Sequence, residues 1–263
     1  MLSIEKQILY ILTRIARIEV QELVKIYKAR GYSSQYIRNT LSQLKKGGYV
    51  SSPARSSYSI TEQGRSFVQS INRKPSQYQT TWDKTWYIVM VEIPEGDRKK
   101  RDQFRNDLLQ QGFGPLYKGV YISPWDYSRR IIELAKHYQI QKHVTLVKGV
   151  LLHNEVTPEK AAEIWHLDQI KQIYVEKWNY FKKQFLPDIE QKLMNVPDPL
   201  DIFLHFLQLG EIITELSLRD PMLPKELLPN NWIGDKTISE LWNYNTYLTS
   251  LIPPNSYYYQ FTS

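Results

Sequence analysis

The chain has 263 residues, a net charge of +7 and no cysteine. The missing cysteine excludes disulfides, thiolate metal sites and cysteine nucleophiles, and no stretch approaches the roughly 18 uninterrupted apolar residues of a membrane span. The length predicts about two domains, and 42% hydrophobic with 13% aromatic residues is ample for packed cores. In chain order, MLSIEKQILYIL carries an acid and a base before its apolar run, with no small-residue cleavage site behind it. It reads as a first helix rather than a signal peptide, so cytoplasm is the expected compartment. Ile4, Ile8, Leu12 and Ile15 make the stripe of that helix, roughly 3–17. Val20, Leu23, Val24 and Tyr27 continue into a second, stopped at Gly31.

Ser33 or Ser34 can cap a third helix. Ile37, Leu41 and Leu44, spaced four then three, form its buried stripe. At about 100° per residue the opposite face carries Gln35, Asn39, Ser42 and Lys46, flanked by Arg38 and Gln43. Asn and Gln pair with adenine edges, Arg with guanine and Lys with phosphate. Gly47-Gly48 ends the helix, Tyr49-Val50 opens a strand, Pro53-Ala54-Arg55-Ser56 is a wing tip, and Tyr58-Ser59-Ile60 returns. Thr61 caps a fourth helix, 62–71. This is the order of a winged helix-turn-helix. Residues 1–75 hold thirteen Lys and Arg against four Glu, a net +9, which leaves −2 for residues 76–263. A basic excess confined to one small domain is the footprint of a module that neutralises phosphates.

Residues 74–84 are polar and read as a linker between a first domain, 1–73, and a second, 85–153. In the second, Trp86 to Val91 is a buried strand, Asp97 to Gln111 a helix, 117–122 a strand, 127–138 a helix and 144–152 a strand. That alternation predicts a ferredoxin-like α+β unit. Residues 154–263 are read as a helical C-terminal domain. There Thr157-Pro158 starts a helix, Ile170, Tyr174, Trp178, Phe181 and Phe185 make an aromatic stripe, and 219–234 is a Pro/Leu-rich loop. The fold class expected is mainly α with α+β parts.

Three stretches carry a family resemblance: WYIVMVEIPEGDRKKRDQFRNDLLQQGFGPLYKGVYISPW, WHLDQIKQIYVEKWNYF and, most distinctive, RDPMLPKELLPNNWIG. With the N-terminal winged helix they make the chain similar to the PaaX-type transcriptional repressors over almost its whole length. The resemblance implies a homodimeric repressor of phenylacetate-type catabolic genes with no enzymatic activity and no cofactor. It also implies an acyl-CoA effector, phenylacetyl-CoA in the best-known members. The residue pattern by itself points only to binding of double-stranded DNA.

The expected DNA-binding residues are Ser34, Gln35, Arg38, Asn39, Ser42, Gln43, Lys45, Lys46 and Arg55. Gln35, Arg38 and Asn39, nearest the helix start, are the expected base readers. Ser42, Lys45 and Lys46 are expected on the backbone, and Arg55 on a phosphate or in the minor groove. The alternative for that face is an ordinary solvated helix surface. A second cluster, Arg98, Lys99, Lys100, Arg101 and Arg105, is a solvated helix face broken by Asp97, Asp102 and Asp107, a grip for the phosphates of coenzyme A, or an auxiliary DNA contact. The middle domain also resembles the ferredoxin-like nuclease of CRISPR spacer acquisition. Glu92 stands where that nuclease has a metal-binding aspartate, which leaves a metal-dependent nuclease as one alternative function. A sequence-tolerant architectural DNA-binding protein is another. Glu163 and His166 have Glu-x-x-His spacing but lack a second half, so packing is expected of them.

Overall fold

The computed structural model describes residues 4–72, 74–194 and 197–262. The chain divides into two units. One comprises the N-terminal stretch to Lys74, Val175–Leu216 and the C-terminal stretch from Lys236; the other comprises Pro75–Tyr174 and Ser217–Asp235. Most described residues are helical, and the strands form two small antiparallel sheets.

The first unit opens with α1 (Ile4–Arg14), β1 (Ile18–Glu19), α2 (Val20–Lys28), α3 (Ser34–Lys46), β2 (Val50–Ala54), β3 (Ser57–Ile60) and α4 (Glu62–Asn72). Ile8, Leu9, Ile11 and Leu12 of α1 are almost fully buried, as are Leu23 and Tyr27 of α2. Glu19 and Glu22 form a reciprocal capping box at the start of α2. The strand order is β1-β3-β2, all antiparallel. The turn between β2 and β3 is only Arg55-Ser56, with Ser56 left-handed at φ 61°, so the ribbon reaches further than the spacing of apolar residues implies. Pro53 is tolerated because β2 is an edge strand with an irregular register between Ser51 and Ala54.

The second unit contains β4 (Trp86–Val91), α5 (Arg98–Gln111), β5 (Gly114–Tyr117), β6 (Val120–Ser123), α6 (Ser128–His137), β7 (Val144–Gly149), α7 (Pro158–Trp165) and the first half of α8 (Leu167–Tyr180). The single strand expected over 117–122 is instead a hairpin, β5 and β6, turning at Lys118-Gly119 with Gly119 at φ 75°. The sheet runs β5-β6-β4-β7. Both faces are covered, which explains the unbroken apolar run of β4. On one face Val89 and Tyr121 pack with Phe104 and Leu108 of α5 and Ile131 and Leu134 of α6. On the other Trp86 and Ile122 pack with Ile164 and Trp165 of α7 and with Leu223, Leu227 and Leu228. Gly114 makes this second layer possible: a Cβ there would lie 2.3 Å from Ile164 and 2.5 Å from the Trp165 ring.

After α8 a π-helical turn, Phe181–Phe185, leads into α9 (Leu186–Leu193). Pro187 has no N–H to give the preceding turn, a common cause of such widening. Then come α10 (Pro199–Arg219) and α11 (Gly234–Leu251). In the first unit the ring of Phe206 on α10 lies 5.9 Å from Tyr10 on α1. Phe203 stacks on Tyr258 at 5.4 Å. Tyr174, Phe181 and Phe185 of the aromatic stripe are buried core residues.

Candidate nucleic-acid interface

Helix α3 begins where Ser33, extended at ψ 150°, accepts a hydrogen bond from the Tyr36 N–H at 3.1 Å. Ile37, Leu41 and Leu44 are buried, as the spacing predicts. Thr40 is buried too, its hydroxyl donating to the Tyr36 carbonyl at 2.9 Å, which makes the core stripe wider than the apolar residues alone imply. Ser34, Gln35, Arg38, Asn39, Ser42, Gln43, Lys45 and Lys46 are all exposed. The Gln35 amide donates to Asn39 Oδ1 at 2.8 Å, so two of the amides form one unit. Tyr36, absent from the expected set, is 47% exposed and stacks on Tyr32 at 5.5 Å. Tyr32 lies before the N-cap Ser33, so helical spacing carries no signal for this pair.

The helix has no acidic residue, and its cations make no ion pair among the described residues. Lys45 and Lys46 occupy the last turn, where the helix dipole favours positive charge. The Thr61 hydroxyl spans Gly48 O at 2.6 Å and Tyr49 O at 3.0 Å, and the Gln63 amide donates to Gly47 O at 3.3 Å. These bonds fix the exit of α3 against the far end of the β2–β3 ribbon. Arg55 is exposed in the ribbon's turn.

The second cationic cluster behaves differently. Arg101 pairs with Glu95 at 2.7 Å, Lys100 with Asp97 at 2.9 Å, and Arg98 with Asp102 at 3.7 Å. The Arg101 guanidinium, first by its hydrogen bond, holds the exposed Glu95 carboxyl below its ordinary pKa. Lys99 is exposed, and neither it nor Arg105 has an ion-pair partner among the described residues. Three of the five cations are therefore already matched by neighbouring acids.

The stretch 219–234 is built inward. Asp220 is fully buried and accepts hydrogen bonds from Tyr78 at 2.5 Å, from Tyr174 at 2.7 Å and from the Met222 N–H at 2.7 Å. Met222 is left-handed at φ 52°, and its carbonyl accepts from the Trp125 indole at 2.7 Å. Trp232 donates to Tyr78 Oη at 2.9 Å, and a Cβ on Gly234 would collide with that indole at 2.6 Å. Burial, and then the neighbouring Asp220, push the Tyr78 and Tyr174 phenols well above their ordinary pKa. Tyr78 and Trp82, from the segment read as a linker, pack on the cluster formed by Leu223, Leu227 and Leu228.

Glu92 is exposed, and among the described residues no three His, Asp or Glu side chains are grouped to hold a metal ion. Glu163 pairs with Lys160 at 2.9 Å, and His166 is the left-handed residue that ends α7, at φ 51°. No helix of the described residues is long and apolar enough to cross a membrane.

The family model described as "PaaX protein central Cas2-like domain" matches residues 79–162, and that described as "PaaX-like protein C-terminal domain" matches residues 165–251. The transcriptional repressor PaaX of Escherichia coli K12 is 24% identical over 222 residues, covering 81% of this chain and 68% of its own. Among solved structures, the uncharacterized protein Rv0674 from Mycobacterium tuberculosis superposes with a TM-score of 0.58 over 93% of this chain and 94% of its own. At 17% identity that likeness is one of fold. Two successive PaaX domains and an alignment to a PaaX repressor over most of the length assign the chain to the PaaX family.

Proposed function

We propose that this protein is a non-enzymatic transcriptional repressor of phenylacetate-type catabolic genes, binding operator DNA as a homodimer and released by an acyl-CoA such as phenylacetyl-CoA. The observation that carries the reading is α3: eight exposed polar or cationic side chains on a helix whose other face is buried, with no acid among them. In this reading residues 1–73 are a winged helix-turn-helix, α3 its recognition helix and β2–β3 its wing. The βαββαβ order and the β5-β6-β4-β7 sheet support a ferredoxin-like domain over 85–153. Residues 154–263 are the helical C-terminal domain. The repressor named among its relatives supports the regulatory role.

Gln35, Arg38 and Asn39 read base edges, while Ser34, Ser42, Gln43, Lys45 and Lys46 hold the phosphate backbone and Arg55 reaches it from the wing. A two-fold dimer then reads an inverted repeat with half-sites about one helical turn, or a multiple, apart. The acyl-CoA acts through its differential affinity for two dimer geometries. A difference of about 3 kcal/mol weakens operator binding more than a hundredfold.

Fluorescence anisotropy on the duplex upstream of neighbouring catabolic genes, against random duplex at fixed salt, tests this. Specific binding released by phenylacetyl-CoA, and not by free phenylacetate or free coenzyme A, is the expected result. Equal affinity for both duplexes across fragments selected from the genome refutes the repressor.

A further inference from the structure

Within the first unit a cavity of about 70 Å³ lies among α1, α10 and α11, walled mainly by apolar side chains such as Phe206, Ile213 and Trp242. Three features set it apart from a packing defect. Gly210 lines it from the middle of α10. Glycine in a helix interior is worse than alanine, yet a Cβ built on Gly210 meets nothing within 4 Å. No close approach demands the glycine, and the side chain it lacks is part of the open space. Asn245, 5% exposed, also lines the cavity, and its Oδ1 is buried without a hydrogen-bond partner. Buried acceptors are seldom left so. Lys6, half-buried on the same wall, has no ion pair among the described residues, and burial lowers its pKa. An apolar chamber with one unpaired buried acceptor and a half-buried cation, whose charge is met among the described residues only by the neighbouring Glu5, offers convergent polar groups of the kind that orient a small ligand.

The wall also connects to the candidate recognition helix. Gln7 and Glu211 line the cavity, and the Gln7 amide donates to Glu211 at 2.9 Å. Arg30 donates to Gln7 Oε1 at 2.6 Å and to Glu211 at 3.2 Å. Arg30 lies between α2 and Ser33, the cap of α3, so cavity wall and helix seat share one polar network.

We propose that this cavity binds a short aliphatic hydroxy acid, its carboxylate paired with Lys6, its hydroxyl donating to Asn245 Oδ1 and its carbon chain on Phe206 and Ile213, and that occupancy resets α3 through Gln7, Glu211 and Arg30. An aliphatic body matches the open space beside Gly210 and the apolar wall of Phe206 and Ile213. The regulatory half rests on the repressor reading; the binding half does not.

The test titrates the full-length protein with 3-hydroxybutyrate, butyrate and 1-butanol at millimolar concentrations, reading the thermal midpoint and, separately, operator anisotropy. The expected result is a midpoint raised by about 3 °C or more with 3-hydroxybutyrate and by less with the other two. Operator affinity should change at least about threefold. Gly210→Leu, which fills the space, should abolish both responses while keeping the fold, and Lys6→Met should reduce the 3-hydroxybutyrate shift to that of 1-butanol. No midpoint shift with any probe, or a shift that survives in Gly210→Leu, overturns the site. A midpoint shift with unchanged operator affinity overturns the coupling alone. Absence of any specific DNA binding overturns the repressor reading, and the midpoint still decides the cavity.

Discussion

Helix α3 and the stretch 219–234 are both rich in hydrogen-bonding groups, and they use them in opposite ways. Asp220 spends its acceptors inside the molecule, on Tyr78, Tyr174 and Met222, and Trp232 closes the same cluster. On α3 the side chains of Arg38, Ser42, Lys45 and Lys46 face solvent. The stretch most distinctive as sequence is thus the one turned inward, because a buried network tolerates few replacements. An exposed recognition face needs only the right residue types at the right angles. Distinctiveness of sequence and contact with a ligand are separate properties.

Four experiments break or sharpen this contrast. Asp220→Ala should cause the largest change, about 3–5 kcal/mol of lost stability, because it strands several buried donors at once. Thermal unfolding should show a midpoint lower by about 10 °C; a drop of about 1 °C would deny the network its structural role. Arg38→Ala and Asn39→Ala should leave the midpoint in place and weaken operator binding by about 1–3 kcal/mol each, with random duplex spared. Equal losses on both duplexes would remove them from base reading. Lys46→Ala should weaken both duplexes alike and flatten the salt dependence by up to about one unit of slope. An unchanged slope takes Lys46 off the phosphates.

The smallest effect is expected on α5, whose exposed ion pairs contribute little. Arg101 holds Glu95 below the ordinary carboxylate value of 4.5. Such a group adds stability above its unfolded pKa and loses it as pH falls through the lower folded value. In an NMR titration of the Glu95 carboxyl, Arg101→Ala should move the midpoint upward. An unmoved midpoint would mean that the pair does not persist in solution.

The α3 face was legible in the residues because helical periodicity is local: Ile37, Leu41 and Leu44 fix which side is buried, and the polar face follows by rotation. The charge of α5 was legible only as a count. Whether Arg98, Lys100 and Arg101 were available depended on where Glu95, Asp97 and Asp102 point. The hairpin within 117–122 escaped because Gly119, which turns it, sits in a short run whose flanks read as one strand. Local spacing thus determined the helices, their caps and the candidate recognition surface. Tertiary structure alone decided that Asp220 meets Tyr78 across 142 residues, and that Gly210 leaves an opening rather than a close contact. Burial and pairing between distant segments depend on how the chain closes on itself, and no window of neighbouring residues carries that information.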